Sequence, residues 1–159
     1  MLEYWHLVKV LENRTWIKLL ANDLGSLAQG IGKRIPSGNN TIFFIKHSDV
    51  PENRNMSYVR LVESIRPNKT ETHRVRVTVG GDVIDYTGIT SIDTDSLATT
   101  SILLNSVISN LNAILMKAEI KYFYYNNPLS RFEYLRMSVA DIPEEVIMQC
   151  HLEKLASHR

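Results

Sequence analysis

THRVRVTVGG, Thr72 to Gly81, alternates more cleanly than any other stretch of this chain. Successive side chains of a strand leave on opposite faces, so His73, Val75, Val77 and Val79 form one face and Thr72, Arg74, Arg76 and Thr78 the other. Gly80 and Gly81 suit a tight turn, which predicts a hairpin into DVIDY, residues 82–86. Outward from this strand, MSYVRLVESI (56–65) reads as a second strand ended by Pro67, and TIFFIKH (41–47) as a short third. Upstream, Trp16, Leu19, Leu20, Leu24 and Leu27 mark the apolar stripe of a helix over residues 13–29. Asn13 or Thr15 can cap its start, and Gly30 and Gly32 stop it.

Downstream, Asp93, Thr94 or Asp95 can cap a helix reaching Asn110, with Leu97, Leu104, Val107 and Ile108 along its buried side. KAEIKYFYYNN (117–127) and RFEYLRM (131–137) read as strands. PEEVIMQCHLEKL (143–155) reads as a terminal helix with a proline and two acids in its first turn. Strands and helices are segregated, which predicts an α+β fold with a mostly antiparallel sheet and about three helices. No internal repeat or linker divides residues 1–159, so one domain is expected.

Composition narrows the setting more than the function. The chain has 159 residues, 44% hydrophobic and 22% charged, with a formal net charge of +1. That is enough for a real core and ordinary for a globular domain. No apolar run approaches the roughly 18 residues of a membrane span, and no membrane partner is expected. The N-terminus lacks the pattern of a signal peptide. Cys150 is the single cysteine and cannot close an internal disulfide, which fits a reducing, intracellular location. The sequons at Asn13, Asn39, Asn55 and Asn68 would matter only in a secreted chain.

Several motifs fail on inspection. GIGKR (30–34) lacks the Lys-Ser/Thr of a phosphate loop and ends a helix, so a C-cap is the reading it supports. His6, His47, His73, His151, His158 and Cys150 have no zinc spacing. No nucleophile elbow occurs, and Cys150 has no evident base partner.

What remains is a basic strand face at Arg74 and Arg76, an acid at Glu119, and an aromatic at Tyr124. Taken alone, the arginines suit a solvated strand face and Glu119 a surface carboxylate with cross-strand partners. Read together with WIKLLANDLGSLAQGIG, TIFFIKHSDVP, YVRLVESIRPNK, HRVRVTVGGDVIDYTG, IDTDSLATTSILLNSVIS and KAEIKYFYYNNPLSRFEYLRM, they give another picture. In segment order and spacing the chain from about Leu7 to Leu152 resembles the fingers and first part of the palm of a copia-type retrotransposon reverse transcriptase, an RNA-directed DNA polymerase. The resemblance implies an incomplete fingers/palm-like fold. It also implies template-primer RNA or DNA and deoxynucleotides as partners, and a place in the cytoplasm, a virus-like particle or the nucleus. Two Mg²⁺ ions would serve nucleotidyl transfer. Glu119-Ile120-Lys121-Tyr122-Phe123-Tyr124 occupies the family's D-I-K-x-F-Y-type strand, so Glu119 stands as the catalytic metal ligand and Ile120 offers its carbonyl to the metal. Tyr124 matches the gate that excludes a ribose 2′-hydroxyl, and Arg74 and Arg76 match the strand that grips the triphosphate.

The chain departs from the family where chemistry is concentrated. Its acid is Glu119, one methylene longer than aspartate, whereas Mg²⁺ asks for near-octahedral oxygens at about 2.0–2.1 Å. A misplacement of roughly 1 Å can cost on the order of a hundredfold in rate. The Y-x-D-D hairpin, the rest of the palm, the thumb and the ribonuclease part do not occur before Arg159, and Glu63-Ser64 stands where an acid-aromatic pair is expected. The expectation is therefore a truncated reverse-transcriptase domain that does not polymerise alone. Two alternatives are a non-catalytic nucleic-acid-binding remnant, gripping phosphates through Arg60, Arg66, Lys69, Arg74 and Arg76, and a self-associating interaction domain.

Overall fold

A computed structural model describes residues 4–9, 14–86, 88, 94–116, 118–120 and 129–153. Within them the fold is α+β, with four α-helices and a three-stranded sheet. The chain divides into two compact units, Met1–Asp85 with Pro128–Arg159 and Tyr86–Asn127.

The first unit is built on helix α2, Arg14–Leu27, which follows the short helix α1, Tyr4–Lys9. Trp16, Leu20, Leu24 and Leu27 fall at helical spacing and are all buried, with Ala21 and Gly25 letting neighbours approach the same side. Beyond the helix Gly30 adopts a φ of 99°, and its N–H donates to the Gly25 carbonyl at 2.8 Å. That is the predicted glycine C-cap. A Cβ at Gly30 would meet the Ile35 carbonyl oxygen at 2.5 Å, so the position takes only glycine.

The sheet has strand order β2-β1-β3, with β1 spanning Met56–Ile65, β2 His73–Val79 and β3 Tyr134–Arg136. Strands β1 and β2 pair antiparallel, Leu61 opposite Val77 and Val62 opposite Arg76. Strand β3 pairs parallel to β1, Tyr58 opposite Arg136, so the sheet is mixed rather than mostly antiparallel. Arg54 holds β3 in place: it donates to the Phe132 carbonyl at 2.6 Å and pairs with Glu133 at 3.0 Å. One sheet face packs on the helices. Val75 is 2% exposed and Trp16 also 2%, and the Trp16 and His73 rings meet edge-on at 5.1 Å. Tyr4 and Leu7 of α1 complete this core, as do Ile142 and Leu152 with Val146 of α4, Glu144–Gln149. Arg34 ties the loop after α2 to α4 through Glu145 at 2.7 Å.

Three expectations are corrected here. TIFFIKH forms no strand, although Ile42 and Phe44 pack on the core while Phe43 and Ile45 are exposed. Its leading N–H groups go to the end of α2 instead of a sheet: Thr41 and Ile42 both donate to the Leu27 carbonyl, at 2.8 and 3.1 Å. The alternation is real, but the helix C-terminus takes the hydrogen bonds. DVIDY is not the second arm of a hairpin. Gly80 is held against β1, donating to the Tyr58 carbonyl at 3.0 Å and accepting from the Ser57 hydroxyl, and Gly81–Val83 then forms a single 3-10 turn. The terminal helix is shorter than its pattern, closing at Cys150 before His151 at a φ of 54°.

The second unit contains α3, Leu97–Ser109, capped by Ser96, whose side chain accepts from the Thr99 N–H at 3.1 Å. The cap therefore falls one residue beyond the three candidates. The expected buried side is also corrected: Leu97 is 82% and Ile108 81% exposed, Leu104 is exposed, and Val107 alone is half-buried. Apolar residues surround this helix instead of forming one stripe, so no single face could bury them all.

Candidate nucleic-acid interface

The register of the sheet sorts its side chains. Val59, Leu61 and Glu63 of β1 lie opposite Val79, Val77 and Val75 on the helix-bearing side. On the other side Arg60 stands opposite Thr78, Val62 opposite Arg76, and Ser64 opposite Arg74. Cross-strand neighbours lie about 5 Å apart and diagonal ones about 7–8 Å, so Arg60, Arg74 and Arg76 form one cluster. The parallel register adds Arg136, beside Tyr58, to this face. None of these four arginines makes an ion pair among the described residues. Arg66, by contrast, is engaged in the β1–β2 turn by Glu71 at 3.2 Å and does not join the cluster.

Asp23 of α2 reaches the outer edge of β2 and accepts the Val77 N–H at 2.8 Å. Burial pushes its carboxyl above the ordinary aspartate range, while the Val77 hydrogen bond and the nearby Arg74 and Arg76 charges pull it back. Edge amides attract foreign strands, and here one is capped from within. Sequence periodicity did not single out Asp23, which lies beside the apolar stripe and off the strands. Its only signal was an acid in a helix facing a basic strand.

The residues implied to carry polymerase chemistry fall in different units. Arg74 and Arg76 belong to the first unit, Glu119 and Ile120 to the second. Glu119 is exposed, Ile120 is 63% exposed, and residues 118–120 form no strand. Tyr124, Lys117 and the rest of the strand expected over 121–127 lie outside the described residues. No group of three or more His, Cys, Asp or Glu among the described residues could share a metal ion. Glu119 is the one carboxylate that the resemblance assigns to the metals, and a single carboxylate does not make a two-metal centre. No helix among the described residues is long and apolar enough to cross a membrane.

Comparison with known proteins adds no relative: no protein-family model, no curated protein and no solved structure matches the chain.

Proposed function

We propose that this chain is a reverse-transcriptase-like fingers and early-palm segment of copia type whose function is to grip the phosphate backbone of RNA or DNA, without nucleotidyl transfer of its own. One observation carries the reading: Arg60, Arg74 and Arg76 share the sheet face opposite the one packed on α1 and α2, and no described carboxylate forms an ion pair with them. Guanidinium groups suit phosphate oxygens, and a cluster of them gives binding that is salt-sensitive and nearly indifferent to sequence. The segment order quoted above supports the lineage, and Glu119 in place of aspartate supports the loss of chemistry.

The test is binding to an RNA–DNA primer-template with a single-stranded overhang at about 50 and 200 mM salt. Affinity should fall steeply between the two, and Arg74→Ala with Arg76→Ala should weaken binding at both. Equal affinity of the double variant and the parent chain would remove the support for this reading. The exposed apolar surface of α3 favours a second reading, self-association. It predicts oligomers in sedimentation velocity at high micromolar concentration, reduced by Ile102→Glu with Ile108→Glu; a monomer throughout would end it.

A further inference from the structure

Tyr58 lies on the same face as the arginines, at the middle strand, and its setting is unusual for a surface tyrosine. Its strand neighbour toward β2 is Gly80, and a Cβ at Gly80 would fall among the Tyr58 ring atoms Cζ, Cε1 and Cε2. The ring therefore lies over the glycine backbone. Gly80 is buried beneath it, while Tyr58 itself stays 42% exposed. Its hydroxyl donates to Asp82 Oδ1 at 3.1 Å, which fixes the ring from its far end. Arg136 is its register partner on β3, and Arg60 is two residues along the same strand on the same face.

We infer that Tyr58 is a stacking platform for an unpaired base, flanked by Arg60 and Arg136 as phosphate contacts, so that the open face takes single-stranded nucleic acid in preference to duplex. A ring already fixed by Gly80 and Asp82 loses little freedom when a base settles on it. Stacking is available to every base, but only when the base is free of its own helical stack. The arginines alone would grip either form. Tyr58 distinguishes them, and this goes beyond the phosphate-binding reading on which it rests.

The experiment compares a single-stranded oligonucleotide, the blunt duplex of the same sequence, and a single strand carrying abasic sites, by fluorescence anisotropy at low salt. Tyr58→Ala should weaken the single strand about 5- to 100-fold and leave the duplex unchanged. Tyr58→Phe, which keeps the ring and loses the Asp82 bond, should stay within about threefold of the parent. The parent chain should bind the abasic strand about 5- to 100-fold more weakly than the intact one, a comparison that requires no variant to fold. Arg136→Ala should weaken both single strand and duplex. If the parent binds abasic and intact strands equally, or if Tyr58→Ala weakens duplex as much as single strand, Tyr58 is no stacking platform and only the phosphate grip remains. If none of the three probes binds, the inference and the nucleic-acid reading fall together.

Discussion

Asp23 couples the helix to the strand that carries Arg74 and Arg76, and its protonation reports on both. Burial raises its folded-state affinity for a proton above that of the unfolded chain. Over the pH range between the two values the folded state binds more protons, so stability falls as pH rises through that range. Asp23→Asn keeps an acceptor for the Val77 N–H and removes the buried charge; it should flatten that part of the stability-pH curve, as chemical denaturation from the ordinary aspartate range upward would show. Arg74→Ala with Arg76→Ala removes two charges that pull the carboxyl down, so its NMR titration should move further up. An unmoved titration would mean the arginines direct their charge away from α2. Deeper in the core, Leu20 is fully buried beside Trp16. Leu20→Ala should cost about 2–5 kcal/mol by urea denaturation, the range for a large-to-small change with incomplete collapse.

At the scale of elements, legibility followed the number of independent constraints. Helix α2 was readable because stripe and glycine stop agreed, and the structure runs it from Arg14 to Leu27 with Gly30 left-handed beyond; of the two cap candidates Thr15 falls inside the helix and Asn13 lies outside the described residues. Strands β1 and β2 were readable for the same reason, alternation bounded by turn residues. TIFFIKH alternates in burial, yet alternation says only that a segment is extended with one side covered. Whether its amides meet a strand or a helix terminus depends on tertiary placement, and Leu27 took them. The open face was half legible: Arg60, Arg74 and Arg76 came from adjacent expected strands, whereas Arg136 and Tyr58 joined them only through register, and Arg66 is drawn off by Glu71. Helix α3 misled because its apolar residues were read as a stripe. A helix of 13 residues with no buried side chain draws little support from packing, and isolated helices of about 12–15 residues are marginal in water. Amide exchange over Leu97–Ser109 should therefore be orders of magnitude faster than over Arg14–Leu27 by mass spectrometry. Comparable protection would show that α3 is covered in solution, which the self-association reading requires.

For the whole molecule, charge placement matters more than charge. A formal net charge of +1 would not mark a nucleic-acid-binding chain, because 17 acids balance its 18 bases in number. Arg34, Arg54, Arg66 and Arg131 each meet a glutamate, at 2.7, 3.0, 3.2 and 2.8 Å. Arg60, Arg74, Arg76 and Arg136 meet none among the described residues, and register puts all four on one face. Each phosphate neutralised on a single strand contributes about 0.7 to the slope of log affinity against log salt. A face using all four arginines should thus give a slope near roughly −3, and each Arg→Ala variant should reduce its magnitude by about 0.7. Arg34→Ala, which breaks an ion pair elsewhere, should leave the slope unchanged even if it lowers stability. A slope near zero in the parent chain would mean that the arginines do not contact phosphate. A slope that falls equally with Arg34→Ala would mean that binding senses net charge rather than this face.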